Sequence, residues 1–204
     1  MKGLLLKDWF TLVKQMKMFL AFIVLFSVMP GTGMTAFAII YAAMLPMTAL
    51  AYDERSHWDA FAAMMPYSTF AIVFGKYVLG YLAILGASLL ALAAQSILVL
   101  LQHTTVTSEA LIVIAVTLLA ATLIQSISLP FMFRFGTEKG RIFFLLLMCV
   151  FIVSGSAFRQ QLASAFSGRT IALPLLAALA VIFTVLLNAA SVLCSLHLQK
   201  RKCA

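Results

Sequence analysis

The sequence predicts an all-α, polytopic membrane protein with six transmembrane helices, and three observations carry that expectation. Of 204 residues, 64% are hydrophobic and 10% charged, where soluble domains are about a quarter charged. The apolar residues fall into runs at roughly 15–32, 33–51, 72–101, 110–133, 142–158 and 171–196, long enough to cross a bilayer. Lysine and arginine gather at the ends of those runs, where they orient membrane helices. Lipid offers a backbone no hydrogen-bond partners, so such runs must be helical. The length suits a single unit, 1–204. A charge of +8 could suit nucleic acid, but no basic patch interleaved with aromatics is present, so nucleic acid is not an expected partner.

The chain opens on "KGLLLKDWFTLVKQMK". At 100° per residue Leu5, Leu6, Trp9, Leu12, Val13 and Met16 share one face, and Lys7, Asp8, Thr11, Lys14 and Gln15 the other. Residues 1–17 are therefore expected as an interfacial helix lying on membrane lipid, its apolar side held by Leu5, Trp9, Leu12 and Met16. A helix docked on the protein's own surface is the alternative. The basic start and apolar run resemble a signal peptide, but the leading region is long and amphipathic and more apolar sequence follows at once, so it is expected to be retained.

Residues 15–51 hold either one helix and an interfacial piece or two short helices turning at Pro30-Gly31-Thr32-Gly33. Charge decides. With six spans and a cytoplasmic N-terminus, twelve of the fourteen lysines and arginines lie inside, leaving Arg159 and Arg169 outside; five spans would leave six inside. Both termini, including the tail 197–204, are then cytoplasmic, in a plasma membrane. The outer loops PGTG, QHTTVTSE and FRQQLASAFSGRT leave no room for a folded domain, which argues against a receptor, sensor or external enzyme.

Between the second and third runs stands "AYDERSHWDAFAAMMPYS", which holds Asp53, Glu54 and Asp59, half of the chain's six acids. Trp58, Phe61, Ala62 and Met65 follow the i, i+3, i+4, i+7 stripe of a short amphipathic helix over 53–65. Asp53 is its expected N-cap and Pro66 its end, and Arg55 and Asp59 pair weakly at i, i+4. The inner leaflet is anionic and a poor partner for acids, so this helix is expected to dock on a cytoplasmic protein.

Helices three and four (72–133) carry the small-residue ridge Ala83, Ala87 and Ala91, expected to pack within the subunit or at a dimer seam. Pro130 is expected to kink the fourth helix. Helices five and six follow (142–196). Gln95, Gln125, Ser126, Ser128 and Asn188 are polar groups inside spans; they bond between helices, or Gln95, Gln125, Ser128 and Asn188 line a substrate path. Arg159 and Arg169 read as interface anchors or as contacts for anionic groups. Cys149 and Cys194 read as small packing residues, and Cys203 lies in the basic tail.

Catalytic signatures are missing. His57, His103 and His197 sit in separate regions without a metal-ligand spacing. Ser154-Gly155-Ser156 lacks a nearby base, and no acid lies mid-span to couple a proton. "VFGKY" and "FGTEKGR" lack the phosphate-cradling spacing of an ATP site. No cofactor and no enzymatic activity of its own are expected.

The stretch "LPMTALAYDERSHWDAFAAMMPYSTFAIVFGKYVLG", residues 45–80, and the opening "MKGLLLKDWFTLVKQ" resemble the six-helix permease subunits of bacterial ABC type-2 exporters. Met65 stands where that family usually has Leu, a volume-conserving change. The resemblance implies that 53–65 is a coupling helix seated in a separate ATPase, with Asp53, Glu54, Arg55, Trp58, Asp59, Phe61 and Met65 at the contact, and that 1–17 is the connecting helix. It implies ABC ATPase subunits that bind ATP and Mg, a second permease copy or paralogue as homodimer or heterodimer, and export of an amphipathic cargo. A peptide or toxin is favoured over a lipid or drug. A non-transporting scaffold or immunity protein that binds a toxin or peptide is the alternative.

Overall fold

A computed structural model describes residues 6–8, 10–11, 14, 17–29, 32–58, 61, 64, 68–102, 108–166 and 172–203, and these are almost wholly helical with no strand among them. Seven helices are defined: α1 (Lys17–Val28), α2 (Thr32–Ala42), α3 (Leu45–Arg55), α4 (Thr69–Gln102), α5 (Ser108–Phe135), α6 (Thr137–Phe166) and α7 (Ala172–Cys203). Leu6, Lys7, Asp8, Phe10, Thr11 and Lys14 are also helical, ahead of α1.

Among the described residues, four segments are long and apolar enough to cross a membrane: Gly33–Arg55, Phe70–Ile97, Leu111–Phe135 and Ala178–Gln199. The first joins α2 and α3 and runs on past residue 51, the expected end of the second span. Its break has a local cause. Pro46 has no N–H to donate back to the preceding turn, so the chain tightens first: Ala43 bonds to the Ile40 carbonyl and Met44 to that of Tyr41, before Thr48 bonds to Met44 at 3.1 Å and the regular ladder resumes. The described part of the first expected span, α1, has 12 residues. Helix α6 carries Glu138, Lys139 and Arg141 in its first two turns, ahead of an uncharged apolar run.

Helix ends follow the sequence closely. Ser68 caps α4, its Oγ accepting the Ala71 N–H at 3.2 Å. Helix α5 continues through Pro130 to Phe135. It then stops at Gly136, whose φ of +85° is the left-handed conformation glycine adopts without strain. With the Gly136 N–H bonded to the Met132 carbonyl at 3.0 Å, α6 can start one residue later.

Helix α5 lies at the centre, packed against α2, α4, α6 and α7. The core there is Ile39, Met47, Ile84, Ala91, Ile124, Met132 and Phe144. Ala87 belongs to a second cluster with Ile23, Ala42, Leu45 and Leu79, and Ala83 packs against it. The alanine ridge is therefore used inside the subunit. By contrast, only 17% of the α7 span is buried, and its Val181, Ile182, Phe183, Val185 and Leu186 face outward. Cys149 and Cys194 are exposed on their helices too, not packed as expected. A continuous apolar exterior of this kind suits hydrocarbon, where it incurs no hydration penalty.

Candidate functional site

The charged residues of the acidic stretch do not project as one cluster. Helix α3 ends at Arg55, and the chain turns at Ser56 and His57, the Ser56 N–H bonding to the Tyr52 carbonyl at 2.9 Å and that of His57 to Glu54 at 3.2 Å. His57 has a φ of 52°, the left-handed position where a helix commonly ends. Trp58, Phe61 and Met64 are helical again beyond it. Asp53 thus sits in the last turn of α3, two residues before its end, and does not cap a following helix as its position in the sequence suggested. The reason is electrostatic: the carboxylate lies on the buried side of α3 and is satisfied there by two lysines.

Those lysines and a second aspartate close a ring of four charges. Asp53 Oδ1 accepts from Lys7 Nζ at 2.5 Å, and Asp53 Oδ2 lies 2.6 Å from Lys76 Nζ. Lys76 reaches both oxygens of Asp8 at 2.9 Å. Asp8 in turn stands 3.3 Å from Lys7, completing the alternation. Each charge has two opposite neighbours and the sum is zero. Asp8 and Lys76 are each 3% exposed and Asp53 8%, which reverses the expected solvent-facing place of Asp8. Periodicity marks it as polar. It cannot reveal that Lys76, 68 residues away, waits opposite.

Two further contacts tie this end of the bundle together. Lys7 Nζ lies 4.1 Å from the centre of the Trp58 ring, within cation–π range. Glu54 Oε2 accepts the Thr137 backbone N–H at 3.1 Å and the Thr137 hydroxyl at 2.5 Å, which caps α6 from another helix. Between these groups lies a cleft of about 80 Å³, bordered by Leu50, Asp53, Glu54, Trp58, Lys76 and Thr137 among others.

Of the expected docking residues, Asp53 and Trp58 are drawn into this assembly. Glu54 remains exposed while making its cap, Arg55 is exposed, and Phe61 is 57% exposed. Asp59 and Met65 lie outside the described residues. Met64, which the apolar stripe passed over, is 81% exposed. In the leading helix Leu5, Trp9, Leu12 and Met16 lie outside the described residues, while Leu6 and Phe10 are each 57% exposed.

The polar residues inside the spans form a seam between α4, α5 and α7. Tyr77 shares hydrogen bonds with Ser191 at 2.6 Å and Ser195 at 2.8 Å. Ser191 donates onward to the Ser126 carbonyl. Tyr81 donates to Asn188 Oδ1 at 2.5 Å, and Asn188 Nδ2 to the Thr184 carbonyl at 2.8 Å. Gln125 Nε2 donates to the Tyr77 carbonyl at 3.3 Å, while its Oε1 and the Ser128 hydroxyl are buried without a partner among the described residues. Gln95 is half-buried and stands 14 residues beyond Tyr81, about 21 Å along α4. None of Gln95, Gln125, Ser128 and Asn188 borders the cleft. Tyr77 and Tyr81, the hubs of the seam, were not singled out from the sequence. Their signal was a phenol at i, i+4 in an apolar run, since a buried Tyr hydroxyl needs a partner.

Among the described residues, no group of His, Cys, Asp and Glu could hold a metal ion. The chain matches no curated protein and no solved structure. Residues 3–200 match the model of a family described as ABC-2 family transporter protein. That match spans nearly the whole chain and, with the apolar helices, it establishes a multi-pass membrane permease belonging to the ABC-2 transporter family.

Proposed function

We propose that this permease is the transmembrane subunit of an ATP-driven exporter, with six spans and both termini in the cytoplasm of a bacterial cell. A separate ATPase, holding ATP and Mg, drives it. The carrying observation is the pair Phe61 and Met64, exposed by 57% and 81% just beyond the anchored turn at Ser56–His57. Two large apolar side chains there gain from a protein groove. Arg55 and Glu54 beside them supply polar contacts, and Asp59 and Met65 extend the same segment. Trp58 supports the ridge from behind, where Lys7 holds it.

Glu54 joins the docking segment to α6 through Thr137, so movement at the contact reaches a second transmembrane helix. Leu6 and Phe10, exposed on the leading helix, support its place on the lipid interface, where Leu5, Trp9, Leu12 and Met16 are the further candidates by their spacing in the sequence. The resemblance to type-2 exporters favours a peptide or toxin as cargo and a second permease, identical or paralogous, as partner. Gln95, Gln125, Ser128 and Asn188 remain the polar candidates along the path, and of these four Gln125 and Ser128 offer buried atoms without a partner among the described residues. Co-purification of an ABC ATPase with the tagged permease from its native membrane tests the reading: a stable complex with stimulated hydrolysis supports it, and no complex for the wild type overturns it.

A further inference from the structure

We propose that the ring Lys7–Asp8–Asp53–Lys76 is a splint that makes the leading helix, the docking segment and the start of α4 one mechanical body. These four are then positioning residues for the coupled cycle. The proposal rests on the exporter reading for the purpose of the splint, but not for its existence.

The chain has a weak point where the docking segment leaves α3. Ser56 and His57 form a two-residue turn, and His57 occupies a left-handed conformation that its Cβ disfavours. A push on Phe61 or Met64 would be absorbed by bending there unless the turn were bridged. Lys7 bridges it. Its ammonium holds Asp53 at 2.5 Å on one side of the turn and covers the Trp58 ring at 4.1 Å on the other. Asp8, the next residue on the same helix, grips Lys76 at 2.9 Å, and Lys76 reaches back to Asp53 at 2.6 Å. Three segments distant in sequence thus close one loop of contacts around the hinge.

The choice of charges fits a splint better than an adhesive. Buried ion groups are often no more stabilising than apolar residues of the same volume, and in some proteins they serve instead to fix one geometry, because a displaced charge is left unpaired. Apolar side chains would permit the segments to slide. Alternating charges with two partners each do not.

Spin labels at Phe10 and Phe61, both on exposed side chains, read the distance across the splint once Cys149, Cys194 and Cys203 are replaced by Ser. In lipid nanodiscs, the permease alone should give one narrow distance peak. Lys7→Gln with Asp8→Asn leaves Lys76 and Asp53 paired, so no net charge is stranded, and should turn that peak into a broad distribution. Lys7→Arg should keep it narrow. If the double variant does not fold, Lys7→Gln alone, at the most exposed member of the ring, takes its place. With the ATPase bound, labels at Phe10 and Leu193 should shift on adding ATP, Mg and vanadate in the wild type. In the ring-neutral variant that shift should be lost while ATP is still hydrolysed. A narrow peak that survives neutralisation, or an ATP-driven shift that persists, overturns the splint. Failure of the wild type to bind any ATPase overturns the exporter reading instead, and the first measurement still decides the splint.

Discussion

Glu54 caps a helix to which it does not belong: its carboxylate accepts the Thr137 N–H at 3.1 Å and so closes the N-terminus of α6 from the last turn of α3. The anion also meets the positive end of the α6 dipole. Gly136 serves the junction through its φ of +85° rather than through space, since a Cβ there would meet Glu54 Oε1 at 3.5 Å, an ordinary contact.

Glu54→Ala should therefore destabilise the α3–α6 junction by about 1 kcal/mol, the usual worth of a lost cap. For a chain of this length that lowers Tm by roughly 2–4 °C. Glu54→Gln keeps an acceptor and should recover part of the loss. Hydrogen exchange at 137–140 should quicken in the alanine variant alone; unchanged exchange there would show that the contact does not cap α6.

Gly80 is needed because of Gln125. A Cβ at position 80 would run into the Gln125 amide, which crosses at that point to reach the Tyr77 carbonyl. Gly80→Ala should cost about 1–3 kcal/mol as overpacking. Adding Gln125→Ala removes the obstacle and should return most of it, so the double variant melts above the single one. Equal melting of the two would sink the explanation.

Much of the fold was legible from hydropathy alone, because lipid leaves the backbone only one solution and the runs mark where it applies. The cap at Gly136 and the break at Pro46 follow from residues with restricted or extended backbone freedom. The site was less legible. Asp53, Lys7, Asp8 and Lys76 each look solvated within their own window, and what buries them is a partner on another segment. Phe61 is marked by its period and is exposed. Trp58 has the same period yet packs inward, since periodicity assigns a face but not what covers it.

Tyr81 and Asn188 should prove coupled. Their hydrogen bond joins α4 to α7 at 2.5 Å, and such bonds within membranes average about 0.6 kcal/mol. Tyr81→Phe and Asn188→Ala should each destabilise modestly, and the pair by less than the sum. Strict additivity in a double-mutant cycle would mean the bond contributes nothing.

The proposed six-span topology would put Cys203 inside the cell and position 105 outside. An impermeant thiol reagent should modify Cys203 only after the cells are opened, and a Thr105→Cys variant in intact cells. Labelling of Cys203 in intact cells would contradict the proposed orientation.

The proposed docking ridge makes the most specific forecast, because its residues divide by burial. Phe61 and Met64 are largely exposed, so truncating them removes little from the isolated permease. In a complex, fully burying such a side chain is worth roughly 1.5–3 kcal/mol. Since about 1.4 kcal/mol is tenfold in affinity, partial burial still predicts a several-fold loss of ATPase retention for Phe61→Ala, and more for Phe61→Ala with Met64→Ala. Melting temperature should be unchanged. Trp58→Ala should behave differently: it withdraws the ring beneath Lys7 and opens the wall of the cleft, so melting temperature falls along with retention. The comparison is made by co-purification and thermal unfolding of the same preparations. Were Phe61→Ala and Met64→Ala to hold the ATPase as tightly as the wild type, the segment beyond His57 would be a free surface, and the coupling contact would have to be sought elsewhere.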